Sequence, residues 1–343
     1  MTTARTSPAP VPEPVTEAAP GGPAAKSPLE RALSNTAAGP LAALVVAVTV
    51  FALTTDTFFT VDNGSLIVQQ FLVIGTLALG QTLIVLTAGI DLANAAIMVL
   101  GTLVIARLGQ EVLPGGLALL VGALLCTAVG AVAGTLVTRL RLPPFIVTLG
   151  VLSVLTATGQ LFANGESFAV PPGVLTFLGE RSYLFGRIEV TYGMGVMLVL
   201  VVVLWFLLGQ TAWGRNVYAV GDEEEAARLT GVDTRRTLLS VYVLAGFVYA
   251  VAAWQALGRI PNADPNAFQT GNLESITAVV IGGTSLFGGR GGVLGTVLGA
   301  LVVTVLANGL TQAGIDSLYQ QVATGILVIV AVAVDRVVRR RTA

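Results

Sequence analysis

The side chains of this sequence that could do chemistry are few and mostly uncharged. In or beside its long apolar runs stand Gln81, Asp91, Asn94, Gln160, Gln255, Glu274, Asn308 and Gln312. A polar group at that depth must face other helices or water, and amides there can exchange hydrogen bonds one for one with a neutral, polyhydroxylated solute. Asp91 and Glu274 fall near the ends of their runs, where water can reach them. Gln81, Asp91, Asn94, Glu274 and Asn308 are therefore the candidate lining of a solute pathway, and for any single amide the competing role is a helix-to-helix hydrogen bond.

Other chemistries are excluded by absence. There is no histidine, which removes HExxH zinc sites and histidine general bases. The only lysine, Lys26, follows Ala25, so no G-x-x-x-x-G-K-S/T phosphate loop can be built and any ATP used must be hydrolysed on another subunit. Cys126 stands alone and can form no intrachain disulfide. Neither a metal nor a cofactor is expected. No apolar run carries a central relay of Asp, Glu, His or Arg, so ion coupling is poorly supported. The net charge of −1 offers no field for nucleic acid.

The second stretch with chemical character is GQTAWGRNVYAVGDEEEAARLTGVDTRR, residues 209–236. Arg215, Asp222, Glu223, Glu224, Glu225, Arg228, Asp233, Arg235 and Arg236 crowd into it, although the chain is only 11% charged. The pattern predicts a short helix capped by Asp222, glutamates in its first turn where the helix dipole favours anions, and an i,i+4 pair between Glu224 and Arg228. Gly231 supplies its stop, and Asp233 caps the long helix that follows. A solvated linker would need neither Ala226 and Ala227 inside a capped turn nor glycines at 214, 221 and 231 bracketing it. That order points to a knob that docks a soluble partner.

The elements that must position these groups are membrane helices. At 54% hydrophobic residues and a mean hydropathy of +0.84, the chain is an all-α polytopic membrane protein. Ten apolar segments, near 38–55, 66–88, 93–108, 115–138, 144–163, 191–208, 237–257, 272–287, 292–310 and 317–334, are read against a hydrocarbon core of about 30 Å. The third and eighth are short, so each is either a full span or a broken, re-entrant element shielded by protein or water. Residues 1–37, with seven of the 15 prolines and no hydrophobic period, form a disordered tail without the marks of a secretory signal. The membrane-spanning body covers 38–335, and 336–343 is a basic tail.

Placing both termini inside puts 14 basic residues on the cytoplasmic side, the charged island's among them, and four outside: Arg107, Arg181, Arg187 and Arg259. Gly130 with Gly134, and Gly291 with Gly295 and Gly299, form small-residue faces for close helix packing. TAGIDLANA at 87–95 and LFGGRGGVLG at 286–295 form a weak internal repeat of helix-breaking turns, of the kind around which transporters build a pathway.

Four stretches carry a family resemblance: ALGQTLIVLTAGIDL at 78–92, RLRLPPFIVTLG at 139–150, GRNVYAVGDEEEAARLTGV at 214–232 and ITAVVIGGTSLFGGRGGVLGTVLGAL at 276–301. Together they resemble the permease subunit of bacterial ABC importers of the ribose, xylose and galactose type, over nearly all of the chain after residue 40. The chain reads GIDLANAA where family members read GIDLS-V-G, and Glu223 where asparagine is common. The resemblance implies about ten transmembrane helices and a cytoplasmic coupling loop whose short helices dock an ATPase subunit, here through Arg215, Gly221, Glu224, Ala226, Ala227, Arg228 and Gly231. It also implies a second permease subunit, identical or not, and an extracytoplasmic solute-binding protein delivering a pentose or hexose. Permeases for nucleosides or branched-chain amino acids are the near alternative.

Overall fold

The computed structural model describes residues 38–184 and 188–342. The proline-rich segment with Arg5, Lys26 and Arg31, and also Arg187, lie outside the described residues.

Each of the ten apolar segments is a helix. The first six are α1 (Ala38–Thr54), α2 (Val61–Leu86), α3 (Asn94–Glu111), α4 (Gly115–Arg139), α5 (Pro144–Ala163) and α6 (Tyr192–Gln210). Two short helices, α7 (Ala212–Asp222) and α8 (Glu224–Leu229), make up the charged island. The chain then returns through α9 (Thr234–Arg259), α10 (Gly271–Ile281), α11 (Val293–Gln312) and α12 (Ser317–Thr342). The basic residues from 336 onward continue α12 as helix.

Among the described residues, six helices (α2, α4, α5, α6, α9 and α11) are long and apolar enough to cross a membrane. The eighth segment is broken: α10 has 11 residues, about 16 Å of helix, roughly half a hydrocarbon core. The glycine-rich turn 282–292 follows it and leads back into α11.

At the centre is α2, whose side chains are buried without interruption from Leu72 to Leu86. A helix that is apolar all round is stable only when surrounded, and α9, α10 and α11 pack around this one. The outer helices α4, α5 and α6 instead expose Leu124, Val154, Leu161, Val202 and Phe206, the surface expected of a helix against lipid.

The close helix approaches occur where the small residues predicted them. A side-chain carbon at Gly134 would lie 2.7 Å from Tyr242 Cβ, and one at Gly246 would lie 2.6 Å from the Cys126 carbonyl, so α4 and α9 touch backbone to backbone. One correction applies to Gly291. It lies in the turn before α11 with φ +125°, where glycine is favoured, and so takes no part in a helical face.

At the end remote from the charged island, β1 (Phe168–Ala169) pairs antiparallel with β4 (Asn262–Ala263), and β2 (Arg181–Leu184) forms a hairpin with β3 (Ile188–Thr191). The short strands tie two loops together over that end of the helices. Trp254 Nε1 donates to the Val174 carbonyl there at 2.8 Å, fastening α9 to the same layer.

Candidate functional site

The charged island is an ordered knob whose caps are only partly those the sequence suggests. Asp222 is the last residue of α7 and caps nothing; Thr211 caps that helix, its Oγ1 accepting from Gly214 N at 3.1 Å. Glu223 occupies the cap position of α8 without a side-chain bond. Arg228 turns to Glu225, three residues back, and not to Glu224: its Nε donates to Glu225 Oε2 at 3.1 Å and its Nη2 donates to Oε1. The six-residue α8 begins at Glu224, so Glu225 is the acid directly beneath the guanidinium. Those hydrogen bonds hold the exposed Glu225 carboxyl below the usual carboxylate range.

Asp233 caps α9 as the sequence suggests, its Oδ1 accepting from Arg236 N at 3.1 Å. Thr211→Ala and Asp233→Ala are each expected to cost about 1 kcal/mol of stability, read from thermal unfolding in detergent. Variants that unfold with the wild type would remove both caps from the account.

The knob is fixed to the membrane helices by Val220, Ala227 and Leu238, which pack as one cluster with Val232, and by Trp213 Nε1 donating to Ser240 Oγ at 2.7 Å. This sorts the seven docking candidates. Arg215, Glu224, Ala226, Arg228 and Gly231 are exposed, whereas Gly221 and Ala227 are buried and face the body of the protein. The side chain that sequence reasoning missed is Leu229, 78% exposed at the tip of α8. Its signal was an apolar residue closing an otherwise charged helix.

Buried Gly221 marks a junction. A side-chain carbon there would collide with the Leu86 carbonyl oxygen at the end of α2 and come within 2.8 Å of Gly289 N. Gly289 N donates to that same Leu86 carbonyl at 3.0 Å, and Tyr218 Oη donates to the Gly291 carbonyl at 2.9 Å. The two glycine-bearing turns are therefore in direct contact, and the last turn of α7 is wedged against both. Gly288 and Gly289 have φ of +82° and +69°, a left-handed pair that only glycine adopts freely. The arrangement ties any displacement of the knob to the ends of α2 and α11.

Three of the five pathway candidates come together in a closed knot around the irregular segment between α2 and α3. Asp91 Oδ1 accepts from Ala93 N at 2.8 Å, and its Oδ2 accepts from Tyr249 Oη of α9 at 3.1 Å. The Gln81 amide, oriented to satisfy both groups, donates to the Asp91 carbonyl at 3.0 Å and accepts from Asp91 N at 3.2 Å. Asn94 Nδ2 donates to Ser275 Oγ of α10 at 2.6 Å, and Thr148 Oγ1 of α5 donates to the Ile90 carbonyl at 2.9 Å. Gln81 of α2 and Thr148 of α5 thus supply hydrogen bonds that the non-helical backbone lacks at membrane depth, while Tyr249 of α9 and Ser275 of α10 bind the Asp91 and Asn94 side chains. Gln81, Asp91 and Asn94 are at most 2% exposed.

The other two candidates lie apart from the knot and from each other. Asn308 Nδ2 donates to Asn63 Oδ1 at 2.8 Å, where Gln312 Nε2 also donates, in a polar corner between α2 and α11. Glu274, in the first turn of α10, lines a separate pocket facing α12 and accepts from Thr270 Oγ1 at 2.8 Å. At the foot of the knob opens a cleft of 860 Å³ bounded by Val220 to Glu225, Arg141 to Pro144 and Thr87 to Gly89; none of the five pathway candidates lines it.

Residues 65–332 match the family described as branched-chain amino acid transport system / permease component. The chain belongs to this permease family. It is 42% identical over 314 residues to the fructose import permease protein of Rhizobium meliloti, covering 90% of this chain and 87% of that one. It is 34% identical over 304 residues to the ribose import permease protein of Bacillus subtilis, covering 87% and 92%. The D-allose transport system permease protein of Escherichia coli is 31% identical over 319 residues, covering 92% and 96%. No solved structure matches. The protein is a multi-pass transport subunit of the membrane, not an enzyme.

Proposed function

We propose that this chain is the membrane-spanning subunit of an ATP-driven importer that carries a neutral monosaccharide, a pentose or hexose, delivered by an extracytoplasmic binding protein. The observation that carries the reading is the 42% identity across 90% of the chain to a permease named for fructose import, with relatives named for ribose and allose import at similar coverage. The family description names branched-chain amino acids, but it is the broader label. A charged solute also calls for a fixed counter-charge along its route, and the polar groups of the spans are mostly amides and hydroxyls.

In this reading the knob lies in the cytoplasm with both termini, and a separate ATPase subunit docks on it. Two such permeases, identical or different, flank the pathway within the lipid bilayer. Reporter fusions at Ala263 and at Glu224 are expected to report opposite sides of the membrane, and agreement between them defeats this topology.

The docking surface is the exposed tip of the knob, with Leu229 as its apolar anchor beside Arg228. Burying a leucine against a partner contributes about 1.5–3 kcal/mol, so Leu229→Asp is expected to lower ATPase co-purification about tenfold or more. Leu229→Asp should not shift the unfolding temperature, because its side chain points into solvent, and Arg228→Glu should shift it little, because it loses only an exposed pair with Glu225. Wild-type co-purification and uptake in both variants would place docking elsewhere. The substrate reading is tested by ATP-dependent uptake into vesicles holding the complete complex, comparing fructose and ribose with uridine and leucine. Uptake of leucine and of no sugar refutes it.

A further inference from the structure

At the end remote from the knob, three helix ends meet. The chain climbs through α9 away from the knob, so the start of α10, the close of α11 and the start of α12 all lie at that opposite end. Between them is a pocket of 390 Å³, within the size range of small-molecule sites. Thr270 at the cap of α10, Glu274 within it, and Ser317, Gln320, Gln321 and Thr324 of α12 are its polar lining. Leu306 and Leu310 of α11 provide an apolar wall.

The α12 residues recur at i, i+3, i+4 and i+7, which places them on one helical face. The opposite face carries Leu318, Val322, Ile326 and Ile329, which are exposed in the manner of a lipid-facing surface. A polar stripe on a membrane helix is costly unless it faces water, protein or a ligand.

Hydrogen-bond accounting separates this pocket from the knot beside it. In the knot, Gln81, Asp91, Asn94 and Ser275 bind one another and the backbone, which leaves nothing to offer a solute. In the pocket, Gln320 is engaged with the Ile315 carbonyl at 2.8 Å and with Thr311 at 3.1 Å, and Thr324 Oγ1 with the Gln320 carbonyl at 2.9 Å. Glu274 uses Oε1 for Thr270. Among the described residues, Glu274 Oε2 and the solvent-exposed Gln321 amide have no hydrogen-bond partner within the protein and stay accessible from the pocket. They project from facing helices, with an apolar wall alongside.

We propose that this pocket is a solute-contact site of the permease, taking a neutral polyhydroxylated molecule whose hydroxyls donate to Glu274 and exchange with the Gln321 amide while its C–H face lies on Leu306 and Leu310. A carboxylate accepting from two neighbouring hydroxyls makes charge-assisted hydrogen bonds, the stronger kind. No arginine or lysine lines the pocket; Arg259, outside that lining, already has the Glu274 carboxylate within reach of its charge, and an anion entering beside Glu274 would meet a like charge. The chemistry favours a polyol over an anion. The assignment rests on the sugar-importer reading above and gives Glu274 a role that Gln81, Asp91 and Asn94, closed within the knot, do not share.

The test uses the complete complex in vesicles with saturating loaded binding protein, measuring uptake of D-fructose and D-ribose together with ATP hydrolysis. Glu274→Gln keeps the shape of the side chain and an acceptor for Thr270, and Gln321→Leu removes only the free amide. Glu274→Gln is expected to cut maximal uptake at least tenfold and Gln321→Leu at least threefold. Binding-protein-stimulated hydrolysis should stay within twofold of wild type, so more ATP is spent per sugar imported. A loss of folding alone would lower both together. In a Cys126→Ala background, Thr324→Cys should react with a maleimide at least threefold more slowly when the transported sugar is present at millimolar concentration. Unchanged uptake in both variants, a parallel loss of uptake and hydrolysis, or labelling indifferent to sugar overturns the site. If the wild type imports leucine and neither sugar, the importer reading itself falls before any variant is compared.

Discussion

Gly221→Ala is expected to abolish uptake and to lower the unfolding temperature, although it adds one methyl group to a surface-loop motif. The added carbon would meet the Leu86 carbonyl oxygen on one side and Gly289 N on the other. Both neighbours are backbone, and they are joined to each other at 3.0 Å, so neither can give way as a flexible side chain would. Overpacking of this kind costs about 1–3 kcal/mol. Here the relief must come from moving α7 off the two turns it touches. Uptake should fall at least tenfold, with co-purified ATPase that hydrolyses ATP without import. Gly150→Ala is the matched control, because nothing lies within 4 Å of the added carbon, and it should behave as wild type. A fully active Gly221→Ala protein would show that the knob is not wedged against the body.

The second large effect is expected at Asp91. Replacing it with alanine strands the Ala93 N–H and the Tyr249 hydroxyl, both deep in the protein. Unmatched buried donors cost about 1–3 kcal/mol apiece, so Asp91→Ala should lose about 2–6 kcal/mol. Asp91→Asn keeps an oxygen for Ala93 and offers an amide to the Tyr249 oxygen, and its cost should be about 1 kcal/mol. Tyr249→Phe should fall between the two. Thermal unfolding of the three variants in one detergent gives the ranking. Equal stabilities for Asp91→Ala and Asp91→Asn would mean that the knot carries no weight in the fold.

The limits of sequence reasoning are visible in particular residues. Arg228 was rightly placed near the end of a short helix, but its partner was assigned by spacing, and the choice between Glu224 and Glu225 depends on where a six-residue helix begins. Thr211 and not Asp222 caps α7, because that helix begins at Ala212, well before the charged run. Leu229 is the one large apolar side chain that α8 turns outward, and its exposure is set by the fold and not by the charged run around it. Gly221 and Arg215 belong to one motif, yet one faces the protein and the other faces solvent.

By itself the sequence determined the architecture. Ten apolar segments, the glycines that let α4 meet α9, and an ordered charged island all follow from transfer energetics, steric size and capping, which act locally or along one helix. Asp233 as a cap is the clearest case, since its hydrogen bond closes within three residues. Only the tertiary structure decided which polar groups neutralise one another. Gln81, Asp91 and Asn94 look no different in sequence from Glu274, yet three are bound up with one another and with side chains from α9 and α10, and the fourth faces a pocket. Hydrogen bonds are satisfied by whatever lies nearest in space. Asn94 and Ser275, 181 positions apart in the chain, lie 2.6 Å apart in the fold, and no local pattern could foretell that.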